Sequence, residues 1–525
     1  MRSLSSSGHL SPVSFHSFML HNNSLTTNRI RNFCRLSNFS FAFGLITLVN
    51  LIIFAPSLKH FFYGDDWVCL LPTIGGRAIT PTNDPNYLLF SPLCHALLSV
   101  ETNLFGTCAW PWHLSGIIMH LAVLFVFLKL LRKLTTPAAA FSLVLIFSSI
   151  TLNSQAVTWA NASRHMLFLA CVLGLFYYLH DYAQNPNRRV VIKAVLCATI
   201  ASFLYEQGII AAALSALYLG ATAKTHQLRF RWEREGLIFL PLVIYALFYL
   251  PSHVPGLMAF RQYPHPYPAH SNFIVGCIFA PVFMLWWSLG IFFPSFVLWA
   301  MPSPIGRLVA TIHQPALVPF LFDLFPAIIL TTVFLLAINK KSVTAKAPML
   351  LLAGTLAFLY ALIIAIGRVS TYGFSYTFNF GAYYAYIFCG YLTVMAACLI
   401  DPASLSAKTK TLVWPVLLFF ILHNSFYVVK LNYYLLAQSR VLLQYQQHMK
   451  AFVAAHRNEP DFSLRIDNDI DIFFISPKIP LAKMLCDYRY LNTLNPKYTI
   501  DLHQTEFYKA YLREQKEEPQ AWYSF

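Results

Sequence analysis

The 525-residue chain is 57% hydrophobic and 16% aromatic but only 11% charged, where a soluble domain carries roughly 25% charged residues. That excludes a soluble globular enzyme. Apolar runs of about 15 to 25 residues recur from Phe39 to Val429, each near the length that crosses a hydrocarbon core roughly 30 Å thick, so the chain is a polytopic membrane protein. The net charge is +16, and up to Lys430 there are 26 Lys and Arg against 10 Asp and Glu, whereas beyond it there are 11 against 11. Short basic cytoplasmic loops explain this excess, so it is no argument for a nucleic-acid partner. The ten cysteines are scattered singly, without CxxC or Cys/His metal spacing, which indicates neither a disulfide framework nor a zinc module.

Residues 1–37 lack acids and end on Arg29, Arg31 and Arg35, which reads as a disordered cytoplasmic N-terminus. The transmembrane domain then runs over 38–430. Its spans are expected at Phe39–Phe54, Leu114–Leu131, Pro137–Leu152, Met166–Leu179, Val190–Leu204, Gly208–Ala223 and Gly236–Leu250, then at Ala316–Ile338, Ala347–Ile366, Gly381–Ile400 and Leu412–Val429. With the N-terminus inside, Lys129/Arg132/Lys133, Arg188/Arg189/Lys193 and Lys224/Arg229/Arg231/Arg234 all fall on the cytoplasmic side. For Lys340, Lys341 and Lys346 to lie there too, Phe273–Met301 must cross twice, as a hairpin interrupted by Pro281, Gly290 and Pro294. This gives 13 crossings, with 12 as the rival. Residues 431–525 form a small C-terminal α/β or helical domain, placed in the periplasm by the 13-crossing count, with a helix expected over Asn432–His456. The architecture expected is all-α and polytopic, in a bacterial inner membrane by default.

Ionisable groups are expensive at membrane depth, so those that persist near span ends are candidate sites. The first external loop, 64–112, opens with Tyr63-Gly64-Asp65-Asp66-Trp67. Paired carboxylates there suit a general base or a cation site, or one Asp simply caps a short interfacial helix. Glu101 and Trp112-His113 follow, with His120 seven residues further on the same helical face, in metal-ligand or helix-packing roles. Arg164 ends the second external loop, where its planar fork suits a lipid-linked phosphate or it snorkels. Glu206 lies between two spans. Arg368 precedes Tyr372 and Tyr376, which suit phosphate binding and sugar stacking, or an aromatic belt. No Gly-rich phosphate loop, GxSxG or HExxH occurs.

In order, these are an acidic pair after the first span, a loop with Pro-Leu and Trp-His-Leu…His, a Trp…Arg turn, an acid between spans and a later Arg-Tyr region. This order resembles the GT-C superfamily of membrane glycosyltransferases, in its protein O-mannosyltransferase-like branch, which includes the membrane half of the transmembrane-and-TPR proteins. The resemblance implies about 12–13 helices of GT-C type. It also implies transfer of a sugar from a polyprenyl-phosphate donor to an acceptor hydroxyl on a glycan, lipid or protein, with inversion. Asp65 or Asp66 would be the catalytic base. Arg164, Glu206, Arg368, Tyr372 and Tyr376 would hold the donor phosphate and sugar, with Glu101 and His113 supporting the acceptor or the loop. Departures are Ser91 where an Arg usually precedes Pro-Leu and Tyr205 where a Lys usually precedes the acid. The second loop also lacks the usual His-Pro. No cofactor is indicated, and the residues leave a divalent metal open. Membrane lipids are partners on any reading. The alternatives are an envelope polysaccharide polymerase or ligase, which would place its large catalytic loop late in the chain, and a lipid-linked sugar flippase or transporter, which would carry charge inside its spans.

Overall fold

A computed structural model describes residues 36–62, 91–106, 108–205, 207–225, 236–249, 269–294, 317–366, 382–455, 463–465 and 499–501. The first span is α1, Phe39–Phe54, with the boundaries its composition predicts. Asn38 starts it by accepting hydrogen bonds at its side chain from Ser40 N (3.0 Å) and Phe41 N (3.4 Å). After it, Ala55–Lys59 tightens into a 3-10 turn around Pro56. The first loop then contributes α2, Pro92–Phe105, and the chain returns along α3, Ala109–Leu134. Gly106, at φ +53°, turns α2 into α3 and offers its carbonyl to the Trp112 indole at 3.2 Å.

The next elements are α4 (Pro137–Ser149), α5 (Ser154–Thr158), α6 (Ser163–Gln184), α7 (Arg188–Leu204), α8 (Gln207–Thr225) and α9 (Gly236–Tyr249). They are followed by α10 (Ala269–Phe292), α11 (Leu317–Ala337), α12 (Lys340–Ala345), α13 (Ala347–Ile364), α14 (Ala382–Leu399) and α15 (Ala407–Ala455). Among the described residues five helices are long and apolar enough to cross a membrane, or six if the bent α4–α5 pair is one span, and shorter apolar helices accompany them. Apolar side chains lie on both sides of the bundle wall. Phe127, Phe147, Phe168 and Phe176 are fully buried, while Ile52, Leu217 and Leu351 are more than 60% exposed, as a lipid-facing surface requires.

The basic loops gather at one end. Lys133 bonds Asp181 where α3 and α6 finish, Lys129 sits 4.4 Å above the Phe125 ring, and Arg132 donates to the Ser37 carbonyl. At this end Ile338 bridges Ile400, Asn339 donates to Asp401 at 3.2 Å, and Lys346 donates to the Ala397 carbonyl at 3.3 Å. The opposite end holds the Ala55–Lys59 turn, α2 and the turn after α5.

Two expectations are corrected. The hairpin proposed over Phe273–Met301 does not break at Pro281 or Gly290, because α10 runs unbroken through both. Proline removes only one backbone bond, and Ala280 and Phe283 beside it are completely buried, so packing holds the helix together. Residues 295–301 lie outside the described residues. Likewise Leu412–Val429 and Asn432–His456 are not two helices but one, the 49-residue α15, about 73 Å long. The polar shift at Asn432 marks a tertiary contact instead of an end. Its side chain donates to the Ile53 carbonyl at 3.0 Å, and its own carbonyl accepts from His60 Nε2 at 2.7 Å. In the C-terminal region Ser463–Arg465 pairs in parallel with Thr499–Asp501. Asp471-Ile-Phe-Phe-Ile-Ser476, whose composition reads as a strand, lies outside the described residues.

A 60° bend separates α4 from the Thr151–Thr158 segment. Ile150 is extended, and the helical ladder is interrupted there. Asn153 repairs the break by donating its side-chain amide to the Phe147 carbonyl at 2.7 Å. The bend turns Gln155 and Trp159 towards the α2 end of the bundle. Asn153→Ala leaves that buried carbonyl unpaired and is expected to cost about 1–3 kcal/mol, seen as a lower Tm in detergent.

His60, just past α1, is buried, and desolvation lowers its pKa to about 4 against the opposing pull of the Asn432 carbonyl. Its neutral, Nε2-protonated form is therefore the folded one. The stability it contributes is complete above about pH 6.5 and is lost as the pH falls towards 4, at roughly 1 kcal/mol per pH unit at most. Thermal unfolding between pH 7 and 4 should show a steeper loss for the parent than for His60→Gln, which keeps the donor without the titration.

Candidate functional site

Arg164 occupies the first turn of α6, where the positive end of the helix dipole makes a cation unfavourable. It is only 1% exposed. What holds it is Glu101 on α2, whose Oε2 accepts from Nη2 at 3.1 Å, while Oε1 accepts from Ser115 Oγ on α3 at 2.7 Å. One carboxylate thus ties three helices at the end of the bundle from which the first loop departs.

An aromatic cluster lies beside this pair, beginning at Tyr205. Tyr205, the residue ending α7, lies near enough to Arg164 to feel its charge, and its hydroxyl is 3.2 Å from His165 Nδ1. Desolvation pushes the Tyr205 phenol well above its ordinary range despite the opposing Arg164 charge, so it is a neutral hydroxyl here. The His165 ring meets Tyr205, Tyr383 and Tyr384 with centroids 4.7, 5.1 and 5.9 Å apart. Trp159 packs edge-on to Tyr383 at 5.1 Å, and Gln155 Oε1 accepts from the Tyr383 backbone N–H at 3.1 Å. Trp159 shares an apolar cluster with Tyr427 and Leu431 of α15.

His113 lies beneath, fully buried, with its ring edge-on to His60 at 5.6 Å. The backbones of Thr158, Phe61 and His60 lie around its ring, and among the described residues neither ring nitrogen makes a hydrogen bond of normal geometry. His120, one face along, does not join it. Asn50 donates to the Ile46 carbonyl at 2.8 Å, which turns its Oδ1 to His120 Nε2 at 3.1 Å, so Nε2 carries the proton and Nδ1 accepts from the Tyr386 hydroxyl at 2.7 Å. The packing role fits both histidines. Among the described residues no group of three His, Cys, Asp or Glu side chains is placed to hold a metal.

Of the residues expected from sequence, Glu101, His113 and Arg164 come to the same end of the bundle. Asp65, Asp66, Glu206, Arg368, Tyr372 and Tyr376 lie outside the described residues. Trp159 and Tyr205 stand in the Trp…Arg turn and before Glu206, and Tyr383 and Tyr384 follow the Arg368 tyrosines, whereas nothing in the sequence gives His165 a role. Their convergence around His165, beside Arg164, distinguishes them from an interfacial belt.

Over 167 residues the chain is 26% identical to protein O-mannosyl-transferase TMTC2 of Mus musculus and, to the same extent, to that of Homo sapiens. Over that stretch the sequence is similar to an O-mannosyl-transferase. The order of motifs pointed to this branch, and the likeness supports it. The matched stretch covers 30% of this chain and 18% of each relative's length. No family model matches. Two crystal structures of ArnT from Cupriavidus metallidurans, one bound to undecaprenyl phosphate and one apo, overlie 91% of this chain and 88% of their own at 14% identity, with TM-scores of 0.42 and 0.33.

Because Arg164 is buried, removing Glu101 takes a paired carboxylate from a desolvated charge. Glu101→Ala is expected to destabilise by about 3–5 kcal/mol, whereas Glu101→Leu combined with Arg164→Met recovers most of that loss. Chemical unfolding of the purified variants in detergent measures the difference.

Proposed function

We propose that the chain is an integral-membrane glycosyltransferase that moves a sugar from a polyprenyl phosphate to an acceptor hydroxyl. The observation that carries this reading is the sequence likeness to a protein O-mannosyl-transferase, which suggests mannose as the sugar and a protein hydroxyl as the acceptor. The geometry is consistent with it. A desolvated guanidinium lies at the end of a membrane bundle, oriented by Glu101 and Ser115 and walled by tyrosines, tryptophan and histidine. Such a cation stabilises the charge that develops on a departing lipid phosphate. Phenols and ring faces accommodate a sugar's hydroxyls and its apolar side.

In this reading Asp65 or Asp66 takes the acceptor proton as the hydroxyl attacks the anomeric carbon, and inversion follows from a single displacement. Glu206, next to Tyr205, and Arg368, Tyr372 and Tyr376, shortly before Tyr383, complete the donor site. The basic end of α3 and the basic starts of α7 and α12 support a cytoplasmic face opposite the site, so catalysis takes place on the outer, periplasmic face. The extension of α15 beyond Asn432 supports a C-terminal domain, 431–525, on the site's side.

The test is transfer of radiolabelled sugar from a panel of polyprenyl-phosphate donors in membranes that contain the full chain. Asp65→Asn or Asp66→Asn, and separately Arg164→Lys, are expected to lower transfer by about 100-fold or more without loss of membrane insertion. Transfer unchanged by all three removes the assigned site, and no transfer from any donor removes the reading.

A further inference from the structure

One ionisable pair lies outside this site, within the membrane-spanning helices. Asp323, in α11, is 0% exposed, and its Oδ1 lies 2.6 Å from Nε2 of His423 in α15. A carboxylate at membrane depth is costly unless it is paired, so its partner accounts for its place. Helix α11 is otherwise a peripheral element. Phe322, Phe325 and Ile328 are more than half exposed, while Asp323 and Ala327 form the buried side. It packs on α15 and to a smaller extent on α10.

The partner imidazole is itself fixed. It lies between Phe419, stacked at 5.6 Å and 12°, and Tyr427, edge-on at 5.1 Å. Tyr427 belongs to the same apolar cluster as Trp159, Leu431 and Leu435, against which Tyr383 packs. The chain of contacts from Asp323 therefore runs through His423 and Tyr427 to the aromatic wall beside Arg164.

We propose that Asp323 and His423 form an intramembrane clasp that docks α11 on α15 and sets the position of Tyr427 against Trp159 and Tyr383. Both are positioning residues, acting on the site through Tyr427. Only the kinetic arm of the following test rests on the glycosyl-transfer reading.

The test uses the full chain in nanodiscs carrying Ala327→Cys or Leu431→Cys, both buried positions, with labelling by a membrane-permeant maleimide read at that peptide by mass spectrometry. Asp323→Asn keeps an acceptor oxygen and the side chain's size, and His423→Phe keeps a ring. Each is expected to raise labelling several-fold at both positions, and the exchanged pair Asp323→His with His423→Asp is expected to restore protection. In transfer assays the same variants are expected to raise the KM for the lipid-linked sugar about tenfold, with kcat per folded enzyme nearly unchanged. Unchanged labelling at position 327 overturns the clasp. Increased labelling at 327 but not at 431, or an unchanged KM in an active enzyme, overturns the link to the site. A parent that transfers no sugar removes the glycosyl-transfer reading, and labelling at 431 then decides the inference alone.

Discussion

The cost of burying polar groups in an apolar bundle governs this structure. The charged and amide groups that hold its helices together find partners within the protein, because an unpaired one costs more than most single contacts return. Arg164 is the sharpest case, since its charge opposes the helix dipole at its own position and is paired with Glu101. That pairing fixes α2 against α3 and α6, and with them the opening of the first loop. The Asn50–His120–Tyr386 relay and the Asn432 contacts with Ile53 and His60 follow the same rule deeper in the bundle and on its flank.

The α4–α5 bend shows how a local cost becomes positional information. An extended Ile150 frees backbone groups, and Asn153 re-pairs one of them. The redirected chain then delivers Gln155 to the start of α14 and Trp159 to Tyr383. The site's aromatic wall is thus assembled by a helix that stops short, a neighbour that starts late and a long helix passing both.

Much of this was legible in the sequence. Membrane spans announce themselves through composition, and α1 begins and ends where its apolar run does, since Asn38 and Pro56 supply the local chemistry of both ends. Pro281 and Asn432 misled for one reason: both are local signals whose meaning packing reversed. Arg164, Glu101 and His113 stood out as rare polar groups near span ends. That Glu101 pairs with Arg164 could not be read, because 63 residues separate them and sequence spacing carries no distance across helices. Tyr205, His165 and Tyr383 look like ordinary interfacial aromatics until they are seen to converge. Asn50, Tyr386 and His423 carried a fainter signal, as polar groups set within apolar runs.

The length of α15 has a mechanical consequence. Its first half is anchored against α1, α4 and the Ala55–Lys59 turn, and from Asn432 to Ala455 it continues as the same helix, a projection of roughly 35 Å. A helix without a joint at that point behaves as a lever with its fulcrum beside Trp159. A tilt of about 5° there carries the far end through about 3 Å, and a load applied to the far end returns to Tyr427 and Leu431 as torque. Whatever engages the C-terminal region is therefore geared to the aromatic wall by the stiffness of one helix.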